Sequence, residues 1–553
     1  MLHKEWILND DSISISKFWE IIAIITLIGG ILRIVYCFWG YPLHLHVDEP
    51  TIVNNTIDML ARHSWEAFVY NRPDQFEIKC NALWFTIVSW LKFNAPAYVV
   101  FKTHEFTFYL TARIYTSLFG TALIPLVAVV TGKIAEHLLV NKKIVQLSCV
   151  LLVAFSTIFV SHSAYSTPDI PLTFFIVLFT YVFIEYIEKG GFKRFSLNCV
   201  IIGVGITIKY PAAILCLPLA FMVIYRKVSI EKDFTGILKY GIKGVLIICA
   251  VVFIIAPNLF TNVEKVYSTI ILESRPNHLG ADGLGFAGNF LFYLRNAIEN
   301  LGWESAILGC LGIYTICKAD HIIPSFSFGI GILYWICMSV LSLHWQRWGI
   351  PVFCFYIMIV SIGIGKVADY LLNNSKCKKF VFCIGRIMLP LISILVIFNV
   401  VISGIAITRC SLLKDVRVVT LEWCNKNRIT PNNTLYHEYG YSPFATLGSG
   451  NEIAKSFELR KEKLVLKDRL KSKKYVMYSA SLRNLYLREE KKYRREVKVF
   501  KTIEKEFPLI YKLSADGNYW KRRTAIENIP YSLDYLFKKS TTTGSNMYIY
   551  KIR

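Results

Sequence analysis

Through its first three quarters the chain alternates long apolar runs with short polar connections that carry Lys and Arg. The runs fall at about Phe18–Trp39, Phe106–Val130, Ile144–Val160, Ile170–Ile187, Leu197–Ile208, Ala212–Ile224, Val245–Phe260, Ala306–Cys317, Ile322–Leu343, Ile350–Ile364 and Phe380–Ile407. Several reach the ~20 residues a helix needs to cross the hydrocarbon of a bilayer. Leu197–Ile208 and Ala212–Ile224 are shorter and flank Lys209-Tyr210-Pro211, where a tight hairpin of two helices is expected. The pattern predicts an α-helical polytopic membrane protein with about eleven transmembrane helices. No cleavable small-residue site follows the first run, so it reads as a retained helix.

Two connections are long, at about residues 40–105 and 261–300, and long loops in a compact protein are usually functional. From Arg409 the pattern changes. A helical run at Leu412–Asn427, with Val416, Val419, Leu421 and Cys424, is followed by alternating stretches at Lys474–Ser479 and Met547–Ile552. Residues 1–408 are therefore expected to form the membrane domain and residues 409–553 a small α/β domain outside the bilayer.

Composition agrees: 54% of residues are hydrophobic and 18% charged, where soluble domains carry about a quarter charged residues. The formal charge of +23 has to be placed relative to the bilayer. Lys133, Lys142, Lys143, Lys189, Lys193, Arg194, Arg226, Lys227, Lys232, Lys239 and Lys243 fall in short loops of one side, followed by Lys366, Lys376, Lys378 and Lys379. The opposite loops are poorer, and Ser161–Pro168 has no Lys or Arg. By the positive-inside rule the N-terminus is cytoplasmic, and everything after Ile407 lies outside a plasma (inner) membrane. The tail holds 31 Lys and Arg against 15 Asp and Glu by direct count. On that side its charge faces anionic headgroups, at about 1 kcal/mol per residue near the surface, rather than nucleic acid. The 14 cysteines lie mostly inside apolar runs without CxxC or Cys–His pairing, so they read as small buried hydrophobes.

Ionisable groups at the outer ends of the runs are the candidate chemistry. His46-Val47-Asp48-Glu49 follows the first run, and its adjacent carboxylates can accept a proton or hold a cation, although a solvated loop often holds such a pair. Asp169, in Ser166-Thr167-Pro168-Asp169, opens the fourth run at the membrane boundary, where a charge either faces a cavity or caps the helix. Lys79, Lys209 and Arg347 sit at outer ends, where a cation is more often a snorkelling anchor than a site. Arg275 and His278 add a cation and a titratable ring in the second long loop. No Walker loop, HExxH or GxSxG is present.

The order of these motifs resembles the GT-C integral-membrane glycosyltransferases, in particular the protein O-mannosyltransferase-like family 39 and the aminoarabinose–lipid A transferase group. Arg33 late in the first helix is followed by Asp48-Glu49, then by Asn71-Arg72-Pro73-Asp74-Gln75-Phe76 leading into Lys79. Arg113-Ile114-Tyr115, Ser161-His162-Ser163-Ala164 with Asp169, Lys209-Tyr210-Pro211 and Arg347 with Pro351 come next. In the tail, Asp415-Val416-Arg417, Glu422-Trp423 and Tyr548-Ile549-Tyr550-Lys551 continue the likeness. Where relatives commonly carry proline after the Lys79 position, this chain has Cys80-Asn81.

The resemblance implies a polyprenyl-phosphate sugar as donor, used outside the membrane with inversion at the anomeric carbon. It makes Asp48, with Glu49 beside it, the carboxylate that deprotonates the acceptor, and Asp169 the second acidic residue. It gives the lipid phosphate to Lys79, Arg347, His278 and Arg275. The acceptor stays open, and a divalent cation, if one takes part, falls to Asp48 and Asp169. A secondary transporter or lipid flippase is the rival reading, but the chain lacks the internal repeat such proteins often show.

Overall fold

The structure is a computed structural model; it describes residues 14–372, 380–437, 441–444, 453–460 and 463–552. Lys376, Lys378 and Lys379 lie outside the described residues. Eight described helices are long and apolar enough to cross a bilayer: Ile15–Tyr36, Glu105–Ala135, Asp169–Lys189, Tyr210–Ile230, Phe234–Ile255, Ile322–Val340, Gln346–Leu372 and Ile387–Ser411. A ninth arises if the bent pair Lys142–Phe155 and Thr157–Ser163 is one span. The expected eleven also counted two runs that become helices Phe192–Ile208 and Ser305–Cys317, of 17 and 13 residues. At ~1.5 Å per residue these are about 26 and 20 Å long, short of the ~30 Å hydrocarbon core. Helix Phe234–Ile255 exposes Leu238, Ile242, Val245, Leu246, Phe253 and Ile254 along its length. An apolar face of that extent belongs in lipid, and the protein is a polytopic membrane protein.

Two features of the helical region prepare the site. The run read as one helix at Ile144–Val160 breaks at Ser156 with a 54° bend. The cause is Arg33, fully buried, whose guanidinium donates to the carbonyls of Val153 and Ala154 at 2.9 Å and of Gly29 at 2.8 Å. It thereby satisfies carbonyls at the end of helix Lys142–Phe155 that lose their helical partners at the break. The expected hairpin after Phe192–Ile208 is present. Lys209 is extended (φ −158°, ψ 128°), and the chain returns through Tyr210–Leu215 and Cys216–Tyr225. Arg226 then donates to the carbonyl of Ile187 at 2.9 Å, just before the start of the first hairpin helix.

The two long connections are not structureless. The first holds helices Glu49–Ala61 and Gln75–Phe93, and the second holds Val263–Glu273 and the start of Gly285–Leu301. Their charges interrupt the apolar pattern, so neither stands out as a span.

The last long helix runs to Ser411, and the expected α/β domain begins after it rather than at Arg409. Four strands lie in the order Thr434–Tyr436, Tyr475–Ser479, Met547–Lys551, Leu509–Leu513; the first pair is parallel and the others antiparallel. Alternation puts Val476, Tyr478 and Tyr550 with helix Arg494–Glu506 on one face. Met477 and Ile549 face Val416 and Cys424 of helix Val416–Lys426 on the other. The domain is docked on the membrane helices. Val418 packs with Leu43 and Leu45, and the fully buried Asn528 side-chain amide donates to Asn399 Oδ1 and Ser403 Oγ, each at 2.8 Å.

Candidate active site

Asp48 precedes helix Glu49–Ala61 without capping it, which leaves its carboxylate to project sideways. Oδ1 takes Arg72 Nη1 at 3.2 Å, and Oδ2 takes the guanidinium of Arg347. Arg72 also donates to Asp74 at 2.7 Å. Asp74 adopts the left-handed backbone (φ 46°) between Pro73 and helix Gln75–Phe93, a sharp turn that a non-glycine residue rarely makes.

Asp169 opens its helix, at the positive end of the helix dipole. The hairpin turn brings Lys209 Nζ to Asp169 at 2.8 Å, and Arg347 Nε stands 3.9 Å from its other oxygen. Arg347 itself sits in the short turn Gln346–Gly349 that leads into the span Ile350–Leu372. Arg347 thus bridges Asp48 and Asp169, which are 121 positions apart in the chain.

Glu49, the chain neighbour of Asp48, is turned away. It is fully buried, and both its oxygens accept from Arg113 at 2.7 Å, with Ser166 N on Oε1 at 3.1 Å. Arg113 also holds the carbonyls of Cys37 and Trp39. This pair ties the end of the first helix to the first outer loop and offers no oxygen to a substrate.

Burial alone raises the Asp48 carboxyl, but Arg347 and Arg72 outweigh it and hold Asp48 well below the usual carboxylate range. Asp74 goes the other way: burial lifts it to about 6 against the pull of Arg72. Burial pushes Glu77, one turn further on with neither oxygen partnered, well above its ordinary value. Tyr441 of the C-terminal domain is raised first by burial and then by the Asp48 charge.

The other expected phosphate ligands do not converge here. Lys79 Nζ donates to Gln75 at 2.9 Å and lies 5.3 Å from the Trp65 ring, without contacting either Asp. Burial lowers it to about 8. Arg275 is exposed, 3.9 Å from Glu273. His278 packs edge-on to Trp345 at 5.1 Å, and that ring lies against Arg347, so it touches the site only indirectly. Arg72 and Lys209 stand in their place. In the sequence Lys209 is one candidate cation among several and Arg72 appears only within a motif; only the folded loops set them against Asp169 and Asp48.

Among the described residues no three His, Cys, Asp or Glu converge as a cage, and Asp48 and Asp169 are already held by Arg and Lys.

Residues 104–259, which carry Arg113, Asp169 and Lys209, match the family described as dolichyl-phosphate-mannose-protein mannosyltransferase. The fold is similar to ArnT from Cupriavidus metallidurans, solved bound to undecaprenyl phosphate, at TM-score 0.50 and 12% identity over 87% of this chain and 95% of that one. It is also similar to the oligosaccharyltransferase AglB from Archaeoglobus fulgidus, solved with an inhibitory peptide and a dolichol-phosphate. There the TM-score is 0.54 and the identity 12%, over 92% of this chain and 74% of that one. The fold is that of the GT-C glycosyltransferases. The transport reading draws no support from these matches. No curated protein matches this chain in sequence.

Proposed function

We propose that this chain, a GT-C glycosyltransferase, moves a sugar from a polyprenyl-phosphate sugar to an acceptor outside the plasma membrane, with inversion at the anomeric carbon. The observation that carries the reading is the run of alternating charge Arg72–Asp48–Arg347–Asp169–Lys209 at one end of the apolar helices. The opposite end carries the basic loops, with Lys133 on Glu185 and Glu188 at 2.9 and 3.0 Å and Arg226 on the Ile187 carbonyl. That distribution supports a cytoplasmic N-terminus and an outward-facing site.

In the transfer, the acceptor oxygen or nitrogen attacks the anomeric carbon as the bond to the phosphate oxygen breaks. The electron pair leaves on the polyprenyl phosphate, and the acceptor proton goes to Asp48. Fixed cations stabilise the phosphate charge as it develops, a preorganised contribution that is usually the largest in such reactions. Arg72, Arg347 and Lys209 are the cations in reach.

The three cations stand against three carboxylates, Asp48, Asp74 and Asp169, so the resting charges are already matched. A carboxylate clamped by two arginines is also a weak base. A donor phosphate competes with Asp48 for Arg347 and Arg72. Once they turn to the phosphate, the Asp48 carboxyl returns towards its ordinary range and becomes a competent base beside the reacting carbon. Asp169 keeps Lys209 in place for the phosphate during the exchange.

The test is turnover of a panel of radiolabelled polyprenyl-phosphate sugars by purified protein in detergent, with crude envelope acceptors, beside Asp48→Asn. Release of polyprenyl phosphate by the wild type alone is the expected result. Near-normal release by Asp48→Asn overturns the role of Asp48. Folded wild type that turns over no donor overturns the enzyme reading.

A further inference from the structure

A large cavity lies away from the charged cluster, between the second outer loop and the C-terminal domain. It is an open groove of about 1250 Å³ walled by residues 280–284 and His344 on one side and by residues 485–505 on the other. Its lining holds seven Lys and Arg against three Asp and Glu. The three acids are already engaged: Asp282 with Lys492, Glu490 with Lys501 at 2.7 Å, and Glu489 with the backbone amide of Gly280 at 2.8 Å. Among the described residues Arg488, Lys491, Arg494 and Lys505 have no ion-pair partner, and all four are exposed. Part of the tail's excess charge thus lies where two separate parts of the chain meet.

Its arrangement is linear. Arg494, Lys498, Lys501 and Lys505 recur at i, i+4, i+7 and i+11 of helix Arg494–Glu506, one face of the helix over roughly 16 Å. A structural reading of such a stripe is a solvated helix face, but here it forms the wall of a concave groove. A bilayer surface is flat and cannot enter a groove between a loop and a domain. A single phosphate needs one or two of these cations. Charge repeated along a groove of this length matches a ligand whose own charge is repeated.

The far wall leads to the reaction centre. His344 lines the groove, with its Nδ1 buried and unpartnered, and Arg347 lies three residues further along the same segment, at most about 10 Å away. We propose that this groove binds an extended polyanionic chain, a glycan with repeated phosphate or carboxylate groups, and that this chain is the acceptor presented to Asp48. The assignment of that chain as acceptor rests on the glycosyltransferase reading; the binding of a polyanion does not.

Two measurements on the full-length protein in detergent separate these claims. The first is binding of fluorescent medium-chain polyphosphate to wild type and to the variants Lys491→Glu/Arg494→Glu/Lys505→Glu and Lys491→Gln/Arg494→Gln/Lys505→Gln. Binding at least about tenfold weaker in both, with a shallower dependence on salt, is expected. Equal binding by all three proteins overturns the groove. So does inorganic phosphate competing as well as the polymer on a per-phosphate basis. Phosphatidylglycerol vesicles, compared with phosphatidylcholine vesicles, form the rival arm. If they bind the wild type and lose affinity in both variants just as the polymer does, the groove is a membrane-facing patch and the proposal fails. The second measurement is transfer to envelope acceptors: the variants raise the acceptor KM with kcat and donor KM unchanged. An unchanged acceptor KM beside weakened polymer binding overturns the acceptor role alone. Failure of the glycosyltransferase reading shows instead as wild type that binds the polymer and turns over no donor.

Discussion

Removing the charge of Asp48 while keeping its shape isolates the base role proposed for it. Asp48→Asn is expected to lower transfer by about 10²–10⁴-fold, the usual worth of a positioned acid or base, with folded protein recovered at the wild-type level. Glu49→Gln reads out differently, although it is the next residue. Both members of the Glu49–Arg113 pair are fully buried, and breaking such a pair from one side costs about 3–5 kcal/mol. Its signature is a lower melting temperature in detergent and less folded protein. Lys79 gives a pH test of stability. Burial lowers it to about 8 from an ordinary 10.5, so between those values the unfolded chain binds more protons than the folded one. Stability gains a rising contribution with pH across that window, and Lys79→Met flattens it in melts followed through the same range. At this scale the sequence disclosed the carboxylates and not their partners. Asp48 and Asp169 are legible because ionisable groups at a membrane edge are costly. The division of labour between Asp48 and Glu49 is not, because it depends on Arg113 reaching back from another helix.

Between elements, backbone proximity decides what fits. Helices Ser305–Cys317 and Ile350–Leu372 cross where a Cβ on Gly363 would collide with the carbonyl of Leu308, and one on Gly312 with the carbonyl of Ile359. Membrane helices associate through small residues of this kind, where lipid offers no hydrophobic drive. Gly363→Val is expected to separate the pair and reduce the yield of monodisperse protein by size exclusion, whereas Gly329→Ala, with open space around it, leaves the yield unchanged. The apolar runs made most spans and the hairpin at Lys209 legible. The break at Ser156 was hidden inside an unbroken apolar run, and its cause, Arg33, lies 123 positions away. The outer-loop helices escaped notice for the opposite reason: their polar faces erase the contrast that marks a span.

For the whole molecule, the C-terminal domain was legible as a compositional change with helix and strand periods, and its docking was not. Asn528, Asn399 and Ser403 are ordinary residues in a sequence, and their convergence is a property of the assembled fold. Asn528→Leu leaves Asn399 Oδ1 buried without its donor, at about 1–3 kcal/mol. Limited proteolysis is expected to cut that variant after Ser411 at protease levels that leave the wild type whole, and equal resistance would show that the contact is dispensable.

That docking governs how the protein moves. A domain sewn to the last membrane helix through buried amides does not swing open as a rigid lid, because every opening would strip those amides of their partners before water could replace them. Under the proposed function, traffic is then lateral: the lipid donor arrives within the membrane plane and the acceptor along the outer groove.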